Sequence, residues 1–176
     1  LTLIFPQLIN LEIFRNLNNY SREIIIKKDF IFLISLMIID NSDNSDYFVY
    51  KYNLSNEDKK KIKFLSNIYS KKVDKNFFKE KNLWKIFYYN GKDYLFDLID
   101  FKIFQNKKLD KNLINLKNFF YNQEIPKLEV KAKTLIDRFN YKEGRELGIK
   151  LKEIEEFWIE NSFKISDKEI NKIINN

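Results

Sequence analysis

The chain has 176 residues, and with 44% hydrophobic and 16% aromatic residues it is too apolar to be disordered. Three glycines and two prolines are too few for the turns of a β-sandwich or barrel, so the predicted fold class is all-α: a multi-helix body followed by a small helical tail, with no sheet. The absence of Cys and His excludes disulfides, thiolate or histidine catalysis and the usual zinc sites. The net charge of +7 favours an anionic partner, nucleic acid or a membrane surface, although a merely solvated basic surface remains an alternative.

The first elements in chain order are two helices. Pro6 is well placed to begin a helix, and the apolar spacing that follows predicts this helix over residues 7–18. Asp29 can cap a second helix that runs through Ile39 and is apolar on nearly all sides. This apolar run is far shorter than the roughly 20 residues of a membrane-spanning helix, so it predicts a buried core helix.

The middle of the chain predicts further helices with defined start and stop signals. Ser55 and Asp58 form a start resembling a capping box. Asn90 and Gly91 can end one helix, 82–89, before a second, 92–104, in a helical hairpin. The same dipeptide can also turn a β-hairpin, and this alternative stays open.

The last third predicts a separate tail. A helix over 110–121 is followed by Ile125 and Pro126, which force an extended segment. We therefore predict a helical body over 1–124 and a helical tail over 125–176. The tail helices are expected at 130–139, 144–161 and 167–174, and Ser166 with Glu169 forms a capping box for the last one.

Two groups of carboxylates are candidate metal ligands. Asp40, Asp43 and Asp46 lie in DNSDNSD, which invites a calcium or magnesium interpretation but lacks the central Gly and the late Glu of a calcium loop. A polar turn between helices is the favoured interpretation. Asp97 and Asp100, three residues apart, could hold a metal or share a proton, but without a third ligand they are interpreted as surface charge.

Basic and aromatic residues suggest two nucleic-acid surfaces, each with an ordinary structural alternative. A run of lysines can lie along a phosphate backbone or form a solvated helix face (Lys59, Lys60, Lys61, Lys63, then Lys71 and Lys72). A run of aromatics beside Lys51 can stack on bases or pack in the core (Tyr47, Phe48, Tyr50, Tyr52). Packing and a solvated face are the favoured interpretations.

The stretch YKEGRELGIKLKEIEEFWIENSF, residues 141–163, holds two of the three glycines four residues apart. Helix 130–139, a turn and a helix starting near Gly144 predict a helix-turn-helix unit. Because glycine inside a helix costs roughly 1 kcal/mol, Gly148 is expected to permit tight packing of a neighbouring helix, with phosphate access to the backbone as a second use. Lys131, Lys133, Lys142, Arg145, Lys150 and Lys152 are expected at one end of this unit, and a basic helix N-terminus can bind anions. The candidate anion-binding residues, which the resemblance described next assigns to RNA, are Lys131, Lys133, Lys142, Gly144, Arg145, Gly148 and Lys150.

Residues 125–163 also resemble a known family. The stretch IPKLEVKAKTLIDRF followed by YKEGRELGIKLKEIEEFWIENSF is similar to the C-terminal tail of the bacterial CCA-adding tRNA nucleotidyltransferase and poly(A) polymerase family, class II. The matching positions are Pro126, Ala132-Lys133-Thr134-Leu135, Gly144-Arg145-Glu146-Leu147-Gly148, Leu151 and Trp158. Ala132, Thr134 and Arg145 depart from the family's Gly, Asp and Pro. The segment LTLIFPQLINLEIFRNL resembles the family segment that links the neck to the helical body, and DFIFLISLMI resembles the first core helix of that body.

This resemblance implies that the chain is the body and tail of a longer cytoplasmic enzyme, consistent with a first residue that is Leu rather than Met. The partner implied is tRNA, held at its elbow and acceptor arm, with no membrane involved. Magnesium and ATP or CTP are implied only for a catalytic head missing from this chain, which itself has no catalytic residue, needs no cofactor and should be inactive alone. The alternatives are a stand-alone helical interaction module and a DNA- or RNA-binding module without catalysis.

Overall fold

The computed structural model describes residues 4–15, 17–70, 75–106 and 108–175. Within these ranges the fold is all-α, without a strand, as predicted. Two short 3-10 helices cover Leu11–Phe14 and Lys75–Phe78. The α-helices are α1 Asn19–Ile25, α2 Phe30–Ile38, α3 Asn44–Lys51, α4 Asn56–Ser70, α5 Glu80–Gln105, α6 Lys111–Tyr121, α7 Ala132–Phe139, α8 Arg145–Glu160 and α9 Asp167–Asn175. The predicted basic residues Lys71 and Lys72 lie outside the described residues.

The chain forms two compact units, Leu1–Gln123 with α1 to α6 and Glu124–Asn176 with α7 to α9. The second unit opens with a segment free of regular structure that contains Ile125 and Pro126, since proline disfavours helical backbone in the residue before it. None of the described helices combines the length and the hydrophobicity required to cross a bilayer.

Helix α2 forms the centre of the first unit. It buries Phe32, Ile34, Leu36 and Ile38 in one cluster with residues of α4 and α5. As predicted, Asp29 caps the helix: its carboxylate accepts a hydrogen bond of 2.8 Å from the Phe32 amide, which satisfies one of the free N–H groups at the helix start.

Helices α5 and α6 enclose a second cluster in the same unit. Its fully or nearly fully buried members come from both helices (Leu83, Phe87, Leu95, Ile99, Ile103, Leu113, Phe120). Within α5 the helical conformation is interrupted at Gly91, with φ 87° and ψ 178°, a combination that is essentially restricted to glycine. The predicted interruption at Asn90-Gly91 is therefore present, and the residues on both sides are helical rather than extended.

The predicted helix over 7–18 is wrong. Among the described residues of this stretch only Leu11–Phe14 is helical, as a 3-10 turn, and α1 begins later with Asn18 as its cap, 2.9 Å from the Ser21 amide. The reason is tertiary hydrogen bonding. The amides of Ile9 and Asn10 both donate to the Met37 carbonyl, and Asn10 Nδ2 donates to the Ile39 carbonyl at 2.8 Å. These bonds hold the segment against the end of α2.

The polar turn after α2 is confirmed but is shorter than predicted. Asp40 accepts hydrogen bonds from the Ser42 amide at 2.9 Å and from its hydroxyl at 2.6 Å, which closes a local turn. Helix α3 then begins at Asn44, whose side-chain amide donates to the carbonyls of Gln7 and Ile38. The aromatic segment that follows is thus helical.

The second unit is a three-helix cluster around Leu135, Leu147, Ile154 and Ile170. The predicted capping box at α9 is confirmed. Glu169 Oε2 accepts from the Ser166 amide and hydroxyl, both at 2.7 Å, and these hydrogen bonds lower the pKa of the Glu169 carboxyl. The box at α4 is also confirmed, with the Ser55 hydroxyl donating to Asp58 at 2.7 Å.

Candidate nucleic-acid interface

The first predicted RNA-binding residues lie at the start of α7. Lys131 is the N-cap residue, and its backbone N–H donates to Thr134 Oγ1 at 3.2 Å. Lys133 is in the first helical turn, and both lysine side chains are exposed. Neither forms an ion pair with any described residue. Their charge is directed to solvent rather than used in the fold.

The turn between α7 and α8 depends on two residues with positive φ. Asn140 ends α7 in the left-handed conformation, with φ 52° and ψ 31°. Gly144 starts α8 with φ 150° and ψ −173°, a region that is essentially restricted to glycine. Gly144 therefore serves the turn, as predicted, and places Arg145 at the first helical position with its side chain exposed.

The structure does not gather all the predicted residues at one end of the unit. Helix α7 has eight residues, so its two ends are roughly 12 Å apart along the axis. Lys131 and Lys133 precede or open this helix, whereas Lys142, Gly144 and Arg145 follow its end. The cations are distributed along the helix pair and do not form a compact pocket.

On α8 an exposed face runs along the helix. Arg145, Gly148, Ile149 and Lys152 follow the spacing i, i+3, i+4 and i+7, which places them on one side, and all four are exposed. We call these four residues the α8 stripe. Opposite them Leu147, Ile154 and Trp158 are buried. The stripe combines two cations, a bare backbone segment and an apolar side chain that is 49% exposed.

The expected tight helix packing at Gly148 is wrong. A Cβ atom added there would have no described neighbour within 4 Å, so no helix crosses at this position. Gly148 is exposed and lies between Arg145 and Lys152 on the same face. Because it has no side chain, a ligand can approach the helix backbone at this position. Gly148 is accessible to a ligand rather than covered by the fold.

Lys150 does not belong to this face. It lies five positions after Arg145, which turns it away from the stripe, and its side chain is only 18% exposed. Its ammonium group is 2.9 Å from Glu153. Lys152, one of the cations noted in the sequence, and Ile149, which the sequence analysis did not select, belong to the candidate interface instead. The i, i+4, i+7 spacing from Arg145 was the signal available in the sequence for Ile149.

Acidic residues moderate the positive charge of this region. Glu143 and Glu146 flank Gly144 and are exposed, and Glu146 in the first turn is favourably placed toward the helix dipole. Lys152 lies 3.9 Å from Glu156, a distance at which an exposed pair contributes little. Among the predicted RNA-binding cations, Lys131, Lys133, Lys142 and Arg145 have no acidic partner among the described residues.

The carboxylates predicted to be surface charges are instead ion-paired, one of them fully buried and the other partly buried. Asp100 is fully buried, and its carboxylate oxygens lie 2.7 Å from the ammonium groups of both Lys28 and Lys117. Asp97 is 2.6 Å from Lys28. The surface-charge interpretation of Asp97 and Asp100 is therefore wrong, because the lysines that compensate them come from the segment before α2 and from α6.

The pKa values of this cluster follow from burial and pairing. Burial acts to lower the pKa of Lys28, but the two carboxylates together outweigh it and raise that pKa. Burial raises the pKa of Asp97. Lys28, which is shared with Asp100, acts to lower this pKa but offsets only part of the effect of burial. The cluster thus holds α5, α6 and the α1–α2 connection together.

The described part of the chain contains no group of three or more acidic side chains that could hold a metal ion. Asp97 and Asp100 on α5, considered above as possible metal ligands, bind lysine ammonium groups with their carboxylate oxygens.

The fold and this surface define a class: an all-α protein with an exposed cationic and partly apolar helix face. Comparison of the chain with protein-family models, curated proteins and solved structures finds no match. The resemblance of residues 125–163 to the tRNA nucleotidyltransferase tail therefore remains a hypothesis. Three of its matching positions, Leu135, Leu147 and Trp158, are buried core residues in this chain.

Proposed function

We propose that this chain is the tRNA-binding C-terminal region of a cytoplasmic CCA-adding tRNA nucleotidyltransferase, and that the helix pair α7–α8 contacts the tRNA backbone. The observation that carries the proposal is the α8 stripe, where two cations flank an uncovered Gly148. The sequence resemblance over residues 125–163 connects this surface with tRNA rather than with another polyanion. Nucleotide addition itself belongs, on this proposal, to a catalytic head outside these residues.

The chemistry of the stripe suits phosphate. The guanidinium group of Arg145 offers paired N–H donors that match two phosphate oxygens, and Lys152 adds a second positive charge about two turns along the helix. Gly148 lets the sugar-phosphate backbone approach the helix closely because no Cβ intervenes. Such contacts fix register and orientation without identifying bases, which suits a protein that acts on all tRNAs.

The unpaired cations extend this surface toward the start of α7. Lys133 and Lys142 are exposed and have no acidic partner among the described residues. Lys133 lies in the first turn of α7 and Lys142 follows the end of that helix, an arrangement that suits successive phosphates of a structured RNA better than a single small anion.

The test is a triple charge reversal, Lys133→Glu, Lys142→Glu and Arg145→Glu, with tRNA affinity measured at physiological salt. We expect binding to weaken by about 10-fold or more, because three phosphate contacts become repulsive. The matched control is Lys81→Glu, Lys108→Glu and Lys111→Glu, which reverses three exposed lysines of the first unit and gives the same net charge.

An unchanged affinity in the first variant would contradict the proposed surface. Equal loss in both variants would mean that binding follows net charge alone, as expected for a helical interaction module with an incidental basic surface. Competition by random duplex DNA as effective as that by unlabelled tRNA would support a DNA-binding helix-turn-helix protein instead.

A further inference from the structure

Helix α3 exposes an aromatic face on the first unit. Tyr47, Tyr50 and Lys51 are spaced i, i+3 and i+4, so they lie on one side of the helix, and we call them the α3 tyrosine face. Tyr47 is 52% exposed and Tyr50 is 84% exposed. Phe48 and Tyr52 lie on the other side, with ring centroids 4.6 Å apart and in the core cluster. Core packing, the favoured interpretation of this aromatic run, is therefore confirmed for Phe48 and Tyr52 only, and Tyr47 and Tyr50 are exposed to solvent.

The tyrosine face borders an open groove of about 690 Å³. Its polar lining includes Lys51, Asn53 and, from the start of α4, Lys59. Lys59 forms no ion pair with any described residue. The ammonium group of Lys51 lies 5.9 Å from the Tyr47 ring centroid and 5.3 Å from that of Tyr52. Asp46 also lines the groove and is its one acidic residue.

This composition matches one class of ligand. Exposed aromatic rings stack on nucleobases, which all have a π-face, and cations beside the rings neutralise the phosphates that link the bases. A purely apolar partner would not use the two lysines, and a folded duplex would not present free base faces. Asp46 can accept hydrogen bonds from the exocyclic amino group of a base.

We propose that the α3 tyrosine face and Lys59 form a binding site for unpaired nucleotides of a single-stranded nucleic acid. Bases stack on Tyr47 and Tyr50, and the linking phosphates lie near Lys51 and Lys59. The site is on a different unit from the α8 stripe and is independent of the tRNA nucleotidyltransferase hypothesis. It adds base stacking to a chain whose other proposed contacts are to phosphate.

The test uses the full chain and two labelled 12-nucleotide single strands, oligo(dT) and a strand of the same length with abasic residues in its central six positions. We expect the wild-type protein to bind oligo(dT) about 10-fold or more tightly than the abasic strand. The double variant Tyr47→Ala and Tyr50→Ala should lose this preference. The variant Tyr47→Phe and Tyr50→Phe should keep it within about twofold, because stacking requires the ring and not the hydroxyl group.

Tyr89→Ala is the matched control, since Tyr89 on α5 is 53% exposed, close to the value for Tyr47. It should leave the preference for oligo(dT) unchanged. Equal binding of the two strands by the wild-type protein would overturn the proposal without any variant being made. A preference that survives in the double alanine variant would place base stacking elsewhere and would also overturn it.

The α7–α8 triple charge reversal separates this site from the proposed function. In that variant the overall affinity for both strands falls if the α8 stripe binds phosphate, but the ratio between oligo(dT) and the abasic strand is unchanged. A ratio that disappears in this variant would assign base recognition to the second unit and would contradict the α3 site. Failure of tRNA binding with a preserved ratio would contradict the proposed function alone.

Discussion

Gly144 and Gly148 lie four residues apart, yet their roles differ. Gly144 has backbone angles that an L-residue with a side chain rarely adopts, so its replacement strains the turn before α8. Gly148 is in ordinary helical conformation with open space beside it. Gly144 is required by the fold, whereas Gly148 leaves the helix surface uncovered and lowers the stability of the helix.

The first prediction is that Gly148→Ala stabilises the second unit by about 0.5–1 kcal/mol, because alanine is the better helix former and meets no neighbour. The same variant should weaken tRNA binding if a phosphate approaches the backbone there. Urea denaturation in a Trp84→Phe background, where Trp158 is the remaining tryptophan, measures the stability change. Gly144→Ala should instead destabilise by about 1–3 kcal/mol. Destabilisation by Gly148→Ala would reveal a packing role.

The second prediction concerns the buried carboxylate of Asp100. Lys117→Met should destabilise the first unit by about 2–3 kcal/mol, because it removes both hydrogen bonds of 2.7 Å to a carboxylate that has no access to water. Adding Asp100→Asn should recover part of that loss, since the unbalanced charge is then gone. Trp84, 4.9 Å from the Phe120 ring, reports unfolding of this cluster in a Trp158→Phe background. A double variant no more stable than Lys117→Met would contradict the ion-pair account.

At the scale of elements, helix caps formed by residues close in sequence could be predicted, whereas structure that depends on hydrogen bonds between distant residues could not. The caps at α2, α4 and α9 were predictable because the donor and the acceptor are within three residues of each other. The structure of residues 7–15 could not be predicted in the same way, since the hydrogen bonds from Ile9 and Asn10 reach the end of α2, which lies about 30 residues away in sequence. Local periodicity contains no information about such partners.

The third prediction concerns the cap of α2. Burial of Asp29 acts to raise its pKa, but hydrogen bonds from Lys61 and from the Phe32 amide outweigh it and keep the pKa below the usual aspartate value of about 3.9. The stability from this charge is therefore present above that value and is lost as the pH falls through the pKa of Asp29. Asp29→Ala should cost about 1 kcal/mol at pH 7 through loss of the cap.

Asp29→Asn separates the cap from the charge. Asparagine still accepts from the Phe32 amide, so the variant should cost less than alanine, and its difference from the wild type should shrink in acid. Thermal unfolding of the three proteins between pH 2.5 and pH 7 measures both effects. A wild-type advantage over Asp29→Asn that persists at the lowest pH would show that the Lys61 pair is not its source.

At the scale of the whole molecule, the cations behind the net charge of +7 have two different roles. Some cations compensate buried or partly buried carboxylates, as Lys28, Lys117 and Lys61 do. Others, such as Lys133 and Arg145, are free for an external anion. Only the second kind should contribute to the salt dependence of binding, because only those cations release counterions from RNA.

The fourth prediction is that reversing Lys133, Lys142 and Arg145 to glutamate makes the plot of log K against log salt for tRNA shallower by about 2. The control reversal of Lys81, Lys108 and Lys111 should leave the slope near the wild-type value, although its net charge is the same. Titrations at four salt concentrations between 50 and 300 mM measure the slopes. Equal slopes in the two variants would mean that no localised phosphate surface exists on α7 and α8.

The sequence by itself determined the all-α class, the caps and the main helices from α4 onward, because composition, helical spacing and capping pairs act over a few residues. Tertiary structure alone decided which side chains are available. It paired Asp97 and the buried Asp100 with Lys28 and Lys117, uncovered Gly148, and divided the aromatic run 47–52 between core and solvent. Accessibility and charge compensation depend on residues distant in sequence, and a local pattern of residue types cannot specify them.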